Sequence, residues 1–85
     1  MNEVCKPGEV LATAKRIAGQ ILECSPMSIR ASKETVYRGL AEQSLEAAID
    51  AQRKYDAVRA MFTSEDLIEG PMAFAQKRPP QWKGR

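Results

Sequence analysis

Phe74 and Lys77 stand three residues apart, and on a helix that spacing puts a flat aromatic ring and a cation on one face. Such a pair suits a nucleotide, whose base stacks on the ring while a phosphate meets the ammonium group. The opposing reading packs Phe74 into the body of the protein and leaves Lys77 as a solvated charge. Glu65, Asp66 and Glu69 form the only tight acid cluster. A paired-carboxylate active site there competes with a plainer role, since acids in a helix's first turn ordinarily sit in solvent and oppose its dipole. The plainer role is preferred. Histidine is absent, which removes the usual general base and the Ser/His and Cys/His nucleophile pairs. Glycines occur singly, so no phosphate-cradling loop of the dinucleotide or triphosphate type is present. Cys24 falls at the end of a predicted helix, the wrong end of the dipole for a reactive thiol, and reads as structural. No catalytic residue and no metal ligand set emerges.

The elements that must carry these residues are helical. Pro7-Gly8-Glu9 opens a first helix, in which Val10, Leu11, Ala14, Ile17, Ala18, Ile21 and Leu22 form one apolar stripe, with Thr13, Lys15, Arg16, Gln20 and Glu23 facing away. Ser25-Pro26 marks the next start, because serine caps well and proline suits the first helical position. A second helix is expected from Pro26 to about Arg38, with Ile29, Val36 and Leu40 toward the core and Gly39 loosening its end. Ser44 is the following cap. Residues 45–62 contain neither glycine nor proline and are rich in alanine, which predicts the longest helix, with Ala48, Ala51, Tyr55, Val58 and Phe62 along one face. Thr63 and Ser64 ahead of Glu65 and Asp66 cap a last helix, in which Gly70-Pro71 predicts a kink or short break. Helical turns resume through Arg78, and Pro79-Pro80 leaves Gln81-Trp82-Lys83-Gly84-Arg85 as an extended, basic, aromatic tail; Trp82 could alternatively fold back over apolar surface. Residues 1–6 read as a short leader, disordered or lent as a strand to a neighbour. The fold class is all-α, a small bundle of three to four helices in a single domain spanning residues 1–85.

Composition bounds the rest. A chain of 85 residues buries only about two thirds of its unfolded surface and is marginally stable alone, so a partner is expected. Cys5 and Cys24 are too few for a disulfide framework or a zinc site and point to a reducing compartment. No apolar run is long enough to span a bilayer and no hydrophobic signal core opens the chain, so a soluble, cytoplasmic protein is expected. The net charge of +2 is modest, but no acid follows Glu69, whereas Lys77, Arg78, Lys83 and Arg85 all do.

Taken together, Ser64-Glu65-Asp66, Glu69-Gly70, Ala73-Phe74, Lys77-Arg78, Pro80, Trp82 and Gly84-Arg85 resemble the C-terminal signature of the crotonase superfamily, the enoyl-CoA hydratases and isomerases. The likeness extends upstream through Cys24-Ser25-Pro26-Met27-Ser28-Ile29-Arg30 with Lys33, and Asn2-Glu3-Val4 with Pro7-Gly8-Glu9-Val10-Leu11 is similar to the segment leaving that family's last core strand. Essentially the whole chain is covered.

The resemblance implies a non-catalytic module. In that family the acyl thioester lies in an α/β core, where two backbone N–H groups form an oxyanion hole and, in hydratases, two glutamates handle water; all of this precedes the matched segment. Without those donors a thioester enolate loses the electrostatic stabilisation that usually dominates such catalysis. The family's C-terminal helices pack subunits into trimers and help close the binding site, and the positions of Phe74 and Lys77 reach the adenine end of CoA, often in a neighbouring subunit. The expectation is therefore self-association as a dimer or trimer, or docking to a crotonase-like core, with residual contact to coenzyme A or acyl-CoA through Phe74 and Lys77. Two rivals remain: a separated C-terminal part of a functioning acyl-CoA hydratase or isomerase, and a small nucleic-acid-binding protein using its basic tail, which is the less favoured.

Overall fold

The computed structural model describes residues 3–85, and among them every regular element is an α-helix: α1 Val10–Leu22, α2 Pro26–Gly39, α3 Leu45–Gln52, α4 Asp56–Phe62 and α5 Glu65–Ala75. Five helices thus replace the expected three to four. Of the leader, Met1 and Asn2 lie outside the described residues; residues 3–6 form neither helix nor strand, and the Glu3 carboxylate pairs with Arg16 of α1. Pro7 and Gly8 then make a turn in which the Glu9 N–H donates to the Lys6 carbonyl at 3.0 Å, with Gly8 at φ 90°. That positive φ at the second central position is one a glycine adopts without strain.

Serine caps open α2, α3 and α5 where the sequence puts them. Ser25 Oγ accepts the Met27 N–H at 3.2 Å, Ser44 Oγ accepts the Ala47 N–H at 3.1 Å, and Ser64 Oγ accepts the Leu67 N–H at 3.2 Å. Each satisfies a first-turn donor that has no partner inside its own helix.

The expected long helix over residues 45–62 is broken. Tyr55 is extended at φ −72° and ψ 138°, and the chain tightens ahead of it through Lys54 N–H to the Ala51 carbonyl at 2.9 Å. The reason lies in α2. Glu34 reaches across to accept the Ala57 N–H at 2.7 Å, capping α4 from another helix, and the Arg38 guanidinium lies 4.4 Å over the Tyr55 ring. Breaking the helix buries Tyr55 to 3% exposure and lets α4 turn back along α2. The core is correspondingly small: Ala31, Tyr55 and Val58, with Ala51 and Met61 against them. Phe62, placed on the same face by helical spacing, is 61% exposed.

The buried side of α2 also differs from expectation. Met27 and Ala31 are buried, whereas Val36 and Leu40 are 60% and 80% exposed. At Ala31 a small residue is what lies against the core, and the helices also approach closely further along, where a Cβ on Gly39 would stand 3.7 Å from the Ala48 Cβ of α3. In α5 the expected break at Gly70-Pro71 is absent, and the helix runs through Pro71 but stops at Ala75, short of Arg78. Proline removes one donor only, and side chains on both sides of it, Asp66 before and Ala73 after, are buried.

Helix α1 has its amphipathic stripe but nothing covers it. It buries no residue, and Val10, Leu11, Ile21 and Leu22 are each about half exposed or more, at 62%, 66%, 48% and 79%. The molecule is consequently flat, 43 × 39 × 18 Å, with a radius of gyration of 16.1 Å. A compact domain of this length would have about 12 Å.

Candidate functional site

Residues 79–85 carry no regular structure, but they are not a free arm. They form a strap lying across α5 and the start of α2, held by the three acids of the α5 cluster. Asp66 is 3% exposed and accepts the Lys83 N–H at 2.8 Å, the Gly84 N–H at 3.2 Å and the Ser25 hydroxyl at 2.9 Å. Burial opposes its ionisation, yet these donors outweigh burial and hold the carboxyl below the ordinary aspartate value. Glu69 takes the Arg78 guanidinium in a two-pronged pair, 2.6 Å and 2.9 Å, and also the Gln81 N–H at 2.6 Å. The Arg78 fork, seconded by that N–H, lowers its pKa to about 2. Glu65 meets Lys83 Nζ at 2.6 Å and Arg85 Nε at 3.1 Å, and its N–H donates to the Arg85 carbonyl at 2.7 Å. Lys83 is the main cause of its lowered pKa.

Trp82 completes the strap by folding back. Its Nε1–H donates to the Glu23 carbonyl at 2.9 Å, tying the strap to the turn between α1 and α2. Its ring lies over Gly70, where an added Cβ would stand 3.3 Å from the ring edge. Arg30 of α2 donates to the Gly84 carbonyl at 3.2 Å.

The acid cluster is therefore an anchor, and solvated dipole-matching acids are the wrong description of Asp66. Helical spacing showed the three carboxylates together; it carried no sign of partners 17 and 18 residues further on. With its lone pairs occupied by backbone and hydroxyl donors, Asp66 has no free base function. Among the described residues no group of three or more His, Cys, Asp or Glu could hold a metal ion. Both thiols are free, with Cys24 exposed and Cys5 half-buried.

Anchoring uses three of the four cations that follow Glu69. Arg78, Lys83 and Arg85 are each paired with a carboxylate, whereas the Lys77 side chain has no hydrogen bond or ion pair among the described residues. Lys77 is not on the helix, as its spacing from Phe74 predicted. It follows the end of α5 with φ 51°, in the left-handed region. Its N–H donates to the Phe74 carbonyl at 3.1 Å, and the Arg78 N–H donates to the Ala73 carbonyl at 3.0 Å. These two bonds close the helix end in a Schellman motif whose left-handed position is usually glycine. A residue with a side chain there costs about 1–2 kcal/mol. Phe74, on the last turn of α5, is 87% exposed, the most open of the large apolar side chains described. The reading that packs it into the body of the protein fails.

No helix among the described residues is long and apolar enough to cross a membrane. No protein-family model matches the chain. Among curated proteins it is similar to the carnitinyl-CoA dehydratase of Proteus mirabilis, 40% identical over 88 residues that take in 99% of this chain and 33% of that protein. The carnitinyl-CoA dehydratase of Escherichia coli is 39% identical over 87 residues, again 33% of its length. Among solved structures, an enoyl-CoA hydratase/isomerase from Mycobacterium paratuberculosis superposes over the whole chain with a TM-score of 0.91 at 27% identity. A probable enoyl-CoA hydratase/isomerase from Mycobacterium abscessus does so with a TM-score of 0.86 at 33% identity. The chain spans about a third of the length of each of these relatives.

Proposed function

We propose that this chain, which corresponds over its whole length to the C-terminal helical domain of the crotonase superfamily, works as a single non-catalytic association unit. Its job is to cover a protein surface, either one or two further copies of itself, as a dimer or trimer, or a crotonase-like core, and to offer Phe74 and Lys77 to the nucleotide end of coenzyme A. We further propose that it is soluble and cytoplasmic.

The observation that carries this reading is the apolar surface left open. The stripe of α1 is bare, and an open groove of about 800 Å³ between α2, α3 and α4 is lined by Val36, Val58, Met61 and Phe62 among others. Exposed apolar faces of that extent ordinarily become interfaces. The mass in solution tests it: sedimentation should give a species heavier than the 9.4 kDa chain, and a monomer persisting at high concentration would overturn it. Coenzyme A titration with Phe74→Ala and Lys77→Ala tests the nucleotide contact, and binding unaffected by both would remove it.

One observation favours a second reading, that the chain is the C-terminal part of an acyl-CoA hydratase or isomerase: it spans only about a third of relatives named for such activities. Activity gained on adding a crotonase core lacking this segment would decide for it. The nucleic-acid reading weakens, because three of the four cations after Glu69 are engaged in ion pairs.

A further inference from the structure

Lys77 holds a strained backbone conformation; its N–H is bonded to the Phe74 carbonyl, and its side chain has no hydrogen bond among the described residues while those of Gln76 and Arg78 beside it do. Gln76 Oε1 accepts from Arg78 Nε at 2.6 Å, the Arg78 fork grips Glu69, and the Gln81 N–H returns to the same Glu69 carboxylate. One side chain thus closes a loop from α5 out to residue 78 and back from residue 81. The two prolines between, Pro79 and Pro80, cannot donate a backbone hydrogen bond, so besides the two bonds that close the end of α5 and an Arg78 bond to the Pro79 carbonyl at 3.2 Å, the loop relies on Glu69.

We propose that Glu69 is a positioning residue: through Arg78 and Gln81 it locks the left-handed conformation of Lys77, whose exposed side chain follows the exposed Phe74 at the end of α5. The proposal rests on the reading in which those two residues meet the nucleotide end of coenzyme A. It also divides the labour of the paired basic residues: Arg78 is spent on Glu69 and sets geometry, while Lys77 alone meets the anion. A planar fork is suited to that grip in a way that a lysine ammonium is not.

The test uses the full chain, as wild type, Glu69→Gln, Arg78→Lys and Lys77→Ala, with coenzyme A as the probe and far-UV circular dichroism to check that each is folded. A strong intraresidue HN–Hα Overhauser contact at Lys77 reports the positive φ directly. In Glu69→Gln it should fade, and coenzyme A binding should weaken about tenfold, the equivalent of one charge-assisted hydrogen bond. Combined with Lys77→Ala, Glu69→Gln should cost nothing more. Arg78→Lys keeps the charge and loses the fork, so it should reproduce the effect if Glu69→Gln proves unfolded. Persistence of the Overhauser contact in both folded variants overturns the proposal, as does its loss with wild-type affinity retained. If the wild type itself binds no coenzyme A, the ligand reading falls, and the role of Glu69 is decided by the Lys77 signal alone.

Discussion

Replacing Asp66 by alanine should detach the strap. The carboxylate accepts two backbone N–H groups and one hydroxyl at 2.8–3.3 Å, and it is 3% exposed. Hydrogen bonds to an ionised, buried acceptor contribute about 1.5–3 kcal/mol each, and orphaning the donors of Lys83 and Gly84 adds to the loss; released donors can find water, so about 3 kcal/mol in total is a fair central figure. A domain of this length has about 4–13 kcal/mol in all. The melting temperature should therefore fall by about 12–24 °C, at 4–8 °C per kcal/mol. Urea and thermal unfolding would be followed by circular dichroism and by emission from Trp82, the only tryptophan, which should shift to the red before the helices melt. Asp66→Asn keeps the shape and one acceptor, and should lose about half as much. The sign of the pH dependence follows. Because the folded carboxyl titrates below its ordinary 3.8, its stabilisation is complete above that value and is lost as pH falls through the lower, folded pKa. Asp66→Ala should therefore flatten the acid limb of the stability curve. Stability within about 0.5 kcal/mol of wild type, the scatter of ordinary surface changes, would refute the anchoring role.

Glu69, titrating near 2 against an ordinary 4.5, should contribute a second acid transition between those values, visible as Trp82 release and absent in Glu69→Gln. Lys77→Gly should raise stability by about 1 kcal/mol, because glycine adopts the left-handed conformation without penalty, while coenzyme A affinity falls; denaturant titration checks the first and calorimetry the second. Gly70→Ala gains about 0.5–1 kcal/mol of helix propensity. Its Cβ, however, would meet the Trp82 ring at 3.3 Å, and that ring is pinned through Nε1, so a net loss with altered Trp82 emission is expected. Binding to a DNA oligonucleotide, followed by fluorescence anisotropy, should be negligible at physiological salt, since among the described residues only Lys77 of the four late cations has no ion pair.

What could be read in the sequence was local. Ser25, Ser44 and Ser64 announce helix starts because a cap acts within three residues, and the α1 stripe is visible because its period is regular. The C-terminal signature was legible as a set of residue types, and it led to the family. The break at Tyr55 was not legible, because no glycine or proline marks it and the group that caps α4 is Glu34, 23 residues upstream. The strap escaped for the same reason: Asp66 and Glu69 look like first-turn acids until the chain returns with Gln81, Lys83 and Gly84. The left-handed turn at Lys77 is not legible either, because a lysine gives no warning of a conformation that glycine usually fills. The core side of α2 is not legible from side-chain size, because Val36 and Leu40 are exposed while at Ala31 close approach matters more than bulk.

Trp82 also sets how α1 hangs. With 13 residues, α1 is about 20 Å long; among the described residues Arg16 pairs with Glu3 of the leader, and the one hydrogen bond from the later helices or the strap is that of the Trp82 indole, at the Glu23 carbonyl at its C-terminal end. Geometrically it is a lever on a pin: a pivot of roughly 15° about that point would carry the Val10 end through about 5 Å. Because α1 buries no residue, such a pivot would give up little packing, and under the proposed association role that would let the same stripe follow surfaces of unequal curvature.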